Sequence, residues 1–231
     1  MEYYKIHSLW KRNGWYFDQG KKQSKDYQEG KQSFIEGDFA ESEFSCIKNW
    51  RVTEKIDGTN IRIEYNKDKE GNEKFTIKGR TENAQIPPHL LNYLQETFTI
   101  EKIRGQFPDA QCVRLFGEGI GPKIQEPMGS MYSDVPSFVL FDVLVGGWVL
   151  HYSDVKGISE SLGIDCTPDL GIMTHEEIIE YVKSQPMSKF SKYPQVMEGI
   201  VATPEPVMMY RKGGPIKMKL KCKEYRCLKA A

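Results

Sequence analysis

The sequence lacks the long hydrophobic run that a membrane-spanning helix needs. Its longest apolar stretch, residues 139–150, contains Asp142 and two glycines and is shorter than the roughly 20 residues that cross a bilayer. The first residues, MEYYKIHSLWKR, do not combine a basic segment with an apolar one, so they do not resemble a secretory signal. We therefore expect no membrane association and a cytoplasmic or other intracellular location.

Cysteine and histidine are also scarce. The five cysteines are irregularly spaced and form no C-x-x-C pair, and the chain has only four histidines. This pattern argues against a disulfide framework and against a zinc site. We expect the cysteines to be structural thiols.

The chain has no excess charge of either sign, since 32 basic residues balance 32 acidic ones. Together with 39% hydrophobic residues, this excludes a disordered polyelectrolyte and a histone-like polycation. From Arg211 onward, however, eight basic residues stand against one acid, Glu224. Such a local positive surface is typical of binding to a phosphate-bearing ligand, although lysines that protect an edge strand would produce the same pattern.

No repeat, low-complexity tract or linker divides the sequence, which predicts a single domain over residues 1–231. Residues 1–45 have weak periodicity and form an N-terminal extension without an assigned role. Strands are expected at 112–119, 137–150, 199–204 and 215–225. Helices are expected at 87–98, where prolines open the segment, and at 175–184, where Thr174 and Glu177 form a capping-box signature. Strands outnumber helices and do not alternate with them, so the predicted fold class is α+β with mostly antiparallel sheet.

The clearest alternation lies at residues 50–66 and predicts a half-buried strand. Ile61, Ile63 and Tyr65 share one face, and the polar Asn60, Arg62 and Glu64 share the other. The turn-forming stretch KDKEGN, residues 67–72, and the alternating EKFTIKGRT that follows predict a hairpin.

The segment EKIDG, residues 54–58, places Lys55 near the end of this extended region. A lysine acts as a nucleophile only after it loses its proton, which burial or neighbouring positive charge favours. Lys219 and Lys221 of the last strand would supply such charge if they faced Lys55. The alternative is a lysine–aspartate surface pair beside a turn, and this short motif alone does not separate the two interpretations.

Further short motifs follow in a fixed order, each on a predicted strand or at its end: GRT at 79–81, FGEG at 116–119, FVLFDV at 138–143, EGIV at 198–201 and KLK at 219–221. With EKIDG, this ordered set resembles the covalent nucleotidyltransferase superfamily of ATP-dependent RNA and DNA ligases and mRNA capping enzymes. The EKIDGTN, FGEGIGP and KLKCKEY forms look most like the phage and kinetoplastid-editing type of RNA ligase. The resemblance implies an adenylation domain of largely antiparallel sheets flanked by helices, with a nucleotide pocket between the sheets.

The resemblance also implies four catalytic residues. Lys55 attacks the α-phosphate of ATP and carries AMP, and Glu198 binds Mg²⁺ or Mn²⁺. Lys219 and Lys221 grip the α-phosphate, a task that suits their shared parity on a strand. Lys123, in GPKIQ, is a further candidate contact for the RNA 5′-phosphate, and its position beside Glu118 is the only basis for this choice.

Other positions match nucleotide-binding residues. Glu54 matches the residue that reads the adenine amino group, with a surface charge at a strand end as the alternative. Asn60 matches a position near the ribose and the water shell of the metal. Arg80 matches an arginine that contacts phosphate or ribose, although an exposed hairpin arginine would look the same. Glu118 matches the carboxylate that binds the ribose hydroxyls.

A phenylalanine of the FVLFDV segment is implied to stack on the adenine, and Phe138 and Phe141 are the two candidates. In a regular strand they point to opposite faces, and the spacing from Glu118 favours Phe138. A phenylalanine in a buried strand is otherwise a core residue.

The function implied is an ATP-dependent RNA ligase that joins 5′-phosphate and 3′-hydroxyl RNA ends through lysyl-AMP and adenylylated RNA. A DNA ligase, a capping-type guanylyltransferase and a non-catalytic nucleotide- or RNA-binding module remain as alternatives. We expect a monomer without the C-terminal OB-type or helical domain of many ligases. The N-terminal segment contributes further basic residues that could contact nucleic acid or lie on a solvated surface: Lys5, Lys11, Arg12, Lys21, Lys22 and Lys25.

Overall fold

The computed structural model describes residues 3–12 and 34–225. The chain divides into two compact units. The first unit consists of Met1–Tyr4, Ile56–Thr167 and Phe190–Gln195, and the second unit consists of Lys5–Lys55, Pro168–Lys189 and Val196–Ala231. The predictions for Lys21, Lys22 and Lys25 lie outside the described residues, as do Arg226, Cys227 and Lys229 of the basic end.

The described residues form short strands and few helices. The strands are β1 (His7–Ser8), β2 (Trp10–Arg12), β3 (Phe34–Phe39), β4 (Trp50–Lys55), β5 (Thr59–Lys67), β6 (Glu73–Gly79), β7 (Cys112–Ile120), β8 (Ser137–Val145), β9 (Trp148–Val149), β10 (Asp165–Cys166), β11 (Asp169–Met173), β12 (Gly199–Pro204) and β13 (Met218–Lys221). The α-helices are α1 (Pro88–Thr97), α2 (Ile100–Gln106), α3 (Met128–Tyr132), α4 (Tyr152–Leu162) and α5 (His175–Lys183), and 3₁₀ turns cover Ser42–Cys46 and Cys222–Glu224.

In the first unit the strands form a six-stranded sheet in the order β10-β8-β7-β5-β6, with β9 paired to β8. Every pairing in this sheet is antiparallel except that of β10 with β8. Alternate apolar residues of the central strands, such as Ile61, Ile63 and Leu115, pack against Leu90 and Leu94 of α1 and against α4. The hairpin predicted around residues 67–72 is confirmed, because β5 and β6 pair across this turn.

The other face of β5 differs from its prediction. Arg62 is only 1% exposed and Glu64 is also buried. Their charges compensate one another, since Arg62 lies 3.3 Å from Glu64 and Arg114 lies 2.9 Å from the same carboxylate. Buried charges persist when they are paired, so the prediction of a solvent-facing polar side was wrong for these two residues.

In the second unit the strands form a five-stranded sheet in the order β1-β13-β12-β4-β11, antiparallel except for the pairing of β1 with β13. Strands β2 and β3 form a separate antiparallel pair. Trp50 and Val52 of β4 pack with Ile200 of β12, and Ile178 and Val182 of α5 belong to the same core. The capping box at the start of α5 is present, with the Thr174 hydroxyl accepting from the backbone N–H of Glu177 and the Glu177 carboxylate accepting from that of Thr174.

These elements confirm the predicted α+β class with mostly antiparallel sheets. The prediction of one nucleotidyltransferase domain over the whole chain stays a prediction. Cys46, Cys112, Cys166 and Cys222 are free thiols, as expected. None of the helices in the described residues combines the length and the hydropathy that a bilayer crossing requires.

Candidate functional site

In the second unit two of the predicted lysines, Lys55 and Lys221, lie at the same register position on the two strands that flank β12. Strand β12 lies between β4 and β13, and Gly199 of β12 pairs with Lys55 on one side and with Lys221 on the other. Residues that pair directly in antiparallel strands point to the same face of a sheet. Lys55 and Lys221 therefore project from the same face, on either side of the start of β12.

Gly199 makes this arrangement possible because the backbone leaves no room for a side chain there. A Cβ atom at position 199 would lie 2.2 Å from the carbonyl oxygen of Leu220 and 2.7 Å from Cα of Lys221. The residue just before it, Glu198, accepts a backbone hydrogen bond of 2.9 Å from Cys222 through its carbonyl oxygen. These contacts fix the carboxylate of Glu198 at the strand end, between the two lysines.

Glu198 forms an ion pair with each lysine. Its Oε2 lies 2.5 Å from Lys55 Nζ, and its Oε1 lies 2.5 Å from Lys221 Nζ. The Glu198 side chain is 9% exposed, and those of Lys55 and Lys221 are 21% and 22% exposed. Burial alone would raise the pKa of the Glu198 carboxyl, but the charges of Lys55 and Lys221 outweigh it and lower that pKa below its usual value.

The contact with Glu198 also determines which charge state of Lys55 is favoured in this structure. A carboxylate 2.5 Å from an amine stabilises the charged ammonium form. Lysine is a nucleophile only as the free amine. Lys55 must therefore give up both its proton and this ion pair before it can attack an electrophile.

Lys219 lies on the same face of β13 as Lys221 and pairs with Val201 of β12. The predicted alternation is confirmed here, because Met218 and Leu220 are buried while Lys219 and Lys221 are partly exposed. Lys217 has the same parity as Lys219 and Lys221, but it is buried.

Glu54 is only 1% exposed, although it precedes Lys55 directly. Its carboxylate accepts hydrogen bonds from the Ser188 hydroxyl and, at 2.8 Å, from the backbone N–H of Lys189. The alternative of a strand-end surface charge is thus wrong. Its implied role in reading adenine stays a prediction.

The first unit carries the residues predicted to bind the ribose. Asn60 of β5 pairs directly with Glu118 of β7, so the two side chains leave the same face of the sheet. Gly58 comes so close to this strand that a Cβ atom there would lie 2.5 Å from the carbonyl oxygen of Gly119. Asn60 Oδ1 is buried and has no hydrogen-bond partner within the described part of the chain. This oxygen is suited to accept a hydrogen bond from a ligand.

Arg80 and Lys123 lie in loops of the first unit, and both are exposed. Arg80 follows β6 directly. Lys123 has a positive φ of 63°, and its backbone N–H donates to the Glu126 carboxylate at 2.6 Å. Their roles toward phosphate stay predictions.

Phe138 does not provide a stacking surface. Its side chain is 0% exposed, and it packs edge-on against Phe98 with the ring centroids 5.2 Å apart. Its ring also covers Gly117, where an added Cβ would meet Phe138 at 2.2 Å. A ring enclosed in the core cannot also receive a base, so this packing argues against the choice of Phe138 over Phe141.

Phe141 is partly exposed, and a bulge explains its position. The register between β7 and β8 shifts here, because Phe116 pairs with Asp142 while Gly117 pairs with Leu140. Phe141 is therefore the extra residue of β8. The parity rule used for the sequence holds only in a regular strand.

Tyr3 and Asp142 were not among the predicted site residues. Asp142 is a buried carboxylate of β8 that accepts a hydrogen bond from the Tyr3 hydroxyl. Burial and the negative charges of Asp142 and Glu118 raise the pKa of Tyr3, so its hydroxyl stays protonated and can donate. The aspartate within an otherwise apolar strand was a signal, because a buried charge requires a partner.

Glu198 is the one residue predicted to bind a divalent cation. Within the described residues no cluster of three or more His, Cys, Asp and Glu side chains could hold a metal ion. Mg²⁺ commonly binds through one or two carboxylates together with waters and substrate phosphates. A single carboxylate that neighbouring lysines keep ionised fits that mode of binding.

Comparisons with known proteins bear on this site. A family model described as RNA ligase matches residues 48–221. The fold is similar to that of an RNA ligase from Naegleria gruberi with PPi, at 20% identity and a TM-score of 0.55 over 77% of this chain and 50% of that chain. It is also similar to a mutant of that enzyme with ATP and Mn, at 18% identity and a TM-score of 0.58 over 79% of this chain and 52% of that chain. A further mutant, with AMP and Mn, has 19% identity and a TM-score of 0.56 over 77% of this chain and 51% of that chain.

A comparison with curated proteins gave no match. The chain spans about half the length of the Naegleria enzymes that it resembles. At these identities the similarity shows a shared fold, in agreement with the predicted α+β class of largely antiparallel sheets.

Proposed function

This chain belongs to the RNA ligase family, and we propose that it is an ATP-dependent enzyme that joins 5′-phosphate and 3′-hydroxyl RNA ends through a lysyl-AMP intermediate. The observation that carries the proposal is the contact of Lys55 with Glu198, whose carboxylate also contacts Lys221. Covalent transfer of AMP needs a nucleophile together with groups that compensate phosphate charge. This cluster supplies both.

In the first step the free amine of Lys55 attacks the α-phosphorus of ATP. A phosphorus–nitrogen bond forms, the bond from the α-phosphorus to the pyrophosphate oxygen breaks, and pyrophosphate leaves. Lys221 and Lys219 stabilise the negative charge on the α-phosphate, because ammonium groups near developing charge lower the barrier. The proton and the ion pair of Lys55 must be lost first, and an ATP phosphate that engages Lys221 would weaken the hold of Glu198 on both lysines.

In this proposal Glu54 reads the adenine amino group, and the ribose contacts come from residues of the first unit. Glu118 accepts hydrogen bonds from the ribose hydroxyls, and Asn60, whose Oδ1 is buried without a protein partner among the described residues, lies beside it. Arg80 contacts phosphate or ribose. We assign the stacking role to Phe141, since it is partly exposed where Phe138 is enclosed.

The later steps consume the adenylate. An oxygen of the RNA 5′-phosphate attacks the phosphorus of AMP, which releases the Lys55 amine and forms adenylylated RNA. The RNA 3′-hydroxyl then attacks the 5′-phosphorus, a phosphodiester forms and AMP leaves. Mg²⁺ or Mn²⁺, held by Glu198, would neutralise phosphate charge when bound. The structures of the Naegleria RNA ligase mutants with ATP and Mn and with AMP and Mn support this choice of nucleotide and metal.

Intact mass spectrometry tests the first step. The chain is incubated with ATP and Mg²⁺ or Mn²⁺, and its mass should increase by one AMP. Lys55→Ala should show no increase. Lys48→Ala is the matched control, because Lys48 is an exposed lysine of the same unit, and it should gain AMP like the parent. A parent without an adduct would refute the proposal and favour a non-catalytic binding module.

Nucleotide and substrate choice separate the remaining alternatives. GTP in place of ATP should give no adduct, whereas a guanylate adduct would indicate a capping-type enzyme. RNA and DNA strands with a 5′-phosphate, offered with a 3′-hydroxyl acceptor, should give a joined product with RNA. Joining of DNA alone would identify a DNA ligase.

A further inference from the structure

The third residue of the chain packs onto the sheet of the first unit. The ring of Tyr3 lies 4.8 Å from that of Phe116 and 5.1 Å from that of Phe141, centroid to centroid. The contact with Phe141 is edge-on, with an interplanar angle of 67°. The Tyr3 hydroxyl donates to the buried carboxylate of Asp142.

This packing takes place on the face of the sheet that carries Glu118. Phe116 and Glu118 are two residues apart on β7, so their side chains share a face. Phe116 pairs with Asp142, which adds Asp142 to the same face. The charge of Glu118 is close enough to act on the Tyr3 hydroxyl.

Phe141 has little support from its own strand. It is the residue that the bulge adds to β8, and a bulged residue is left out of the regular ladder. The orientation of its ring therefore depends on side-chain contacts, and Tyr3 supplies an edge-on aromatic contact of the favoured kind. Asp142, the next residue, depends on Tyr3 for a hydrogen bond that offsets the burial of its charge.

We propose that Tyr3 is a positioning residue for the nucleotide: its ring supports Phe141 in the orientation that receives the adenine. The inference rests on the proposed function, because it requires that Phe141 stacks on the base. The ring of Tyr3 influences nucleotide binding through its contact with Phe141. The hydroxyl of Tyr3 contributes to the stability of the fold through its hydrogen bond to Asp142.

Two substitutions separate these contributions. Tyr3→Ala removes the ring and the hydroxyl, and it should raise the KM for ATP in adduct formation about threefold to tenfold, the range expected for one aromatic pair. Its kcat should stay within about twofold of the parent, because Lys55 and the α-phosphate contacts are unchanged. Tyr3→Phe keeps the ring, so its KM should stay within about twofold of the parent.

Both substitutions leave Asp142 without the hydroxyl donor, so both should lower the Tm by about 3 to 10 °C. Tyr65→Phe is the matched control. The Tyr65 hydroxyl donates to Glu73 at 2.6 Å, and the Tyr65 side chain packs in the core on the other face of the same sheet. This variant should lose stability without any change in the KM for ATP.

The expected result is a raised KM in Tyr3→Ala alone. An unchanged KM in Tyr3→Ala would overturn the proposal, as would an equal rise in Tyr65→Phe, which would mean that lost stability alone weakens nucleotide binding. A lower KM in Tyr3→Ala would identify Tyr3 as an obstruction and would also overturn it. If the parent itself forms no AMP adduct, the proposed function has failed and this inference fails with it. If the parent forms the adduct and one of the three contrary results is found, only the role of Tyr3 is refuted.

Discussion

Replacing Glu198 by glutamine removes one negative charge from between two ammonium groups. The carboxylate contacts Lys55 and Lys221 at 2.5 Å each and is 9% exposed. Removing one partner of a buried ion pair costs about 3–5 kcal/mol. Both lysines remain about one-fifth exposed, so we take the lower end of this range. Glu198→Gln should therefore reduce the free energy of unfolding by about 3 kcal/mol, which for a chain of this size lowers the Tm by about 6 to 12 °C.

The difference between parent and Glu198→Gln should depend on pH with a defined sign. The pKa of Glu198 is lower in the folded protein than in the unfolded chain. Its stabilisation is therefore fully present above the unfolded pKa of about 4.3 and disappears as the pH falls through the folded value. The two proteins should differ by a constant amount between pH 8 and pH 5, and the difference should shrink below about pH 4.3.

Urea unfolding, followed by circular dichroism at a series of pH values, measures this difference. Combining Glu198→Gln with Lys221→Met should cost less than the sum of the two single changes, because the pair is lost only once. Glu64→Gln is the matched control, since Glu64 also lies between two cations, Arg62 and Arg114. It should lose stability and still form the AMP adduct. Equal stability of parent and Glu198→Gln at pH 7, or a difference that persists unchanged at pH 3, would refute the reasoning.

Three further predictions concern a glycine in close backbone contact, a helix cap and the two phenylalanines of β8. Gly199→Ala should cost about 3 kcal/mol and slow adduct formation, because the new Cβ meets the Leu220 carbonyl oxygen at 2.2 Å; urea unfolding and mass spectrometry measure the two effects. Thr174→Ala should cost about 1 kcal/mol of stability with unchanged adduct formation. Phe138→Leu should cost about 1–2 kcal/mol and leave the KM for ATP unchanged, whereas Phe141→Leu should raise that KM at nearly unchanged Tm.

The features that the sequence predicted correctly depend on residues close together in the chain. The capping box of α5 requires only Thr174 and Glu177, three residues apart. The alternation of Met218, Lys219 and Leu220 follows from the two-residue period of a strand. Such local rules have few competing solutions, which is why these elements could be predicted without a tertiary structure.

The structure departs from two expectations for reasons that the neighbouring residues do not reveal. Arg62 and Glu64 have the alternation of an exposed strand face, but Arg114, 50 residues away from Glu64, completes a compensated charge cluster that permits their burial. Phe138 was preferred over Phe141 on the assumption of a regular strand, and the bulge opposite Phe116 breaks that assumption. Neither a remote counter-charge nor a register shift leaves a mark in the neighbouring residues.

For Lys55 the motif and the electrostatics lead to different expectations. The sequence suggested that the lysines of the last strand would favour loss of its proton by repulsion. In the structure Lys221 does not act on Lys55 alone, because Glu198 lies in contact with both, and this carboxylate favours the ammonium form. Under the proposed function, this contact would hold Lys55 in its unreactive charge state until a ligand competes for Glu198 or Lys221. Activation of Lys55 would then be coupled to the binding of ATP, because a phosphate that competes for Lys221 would weaken the contact that keeps the amine protonated.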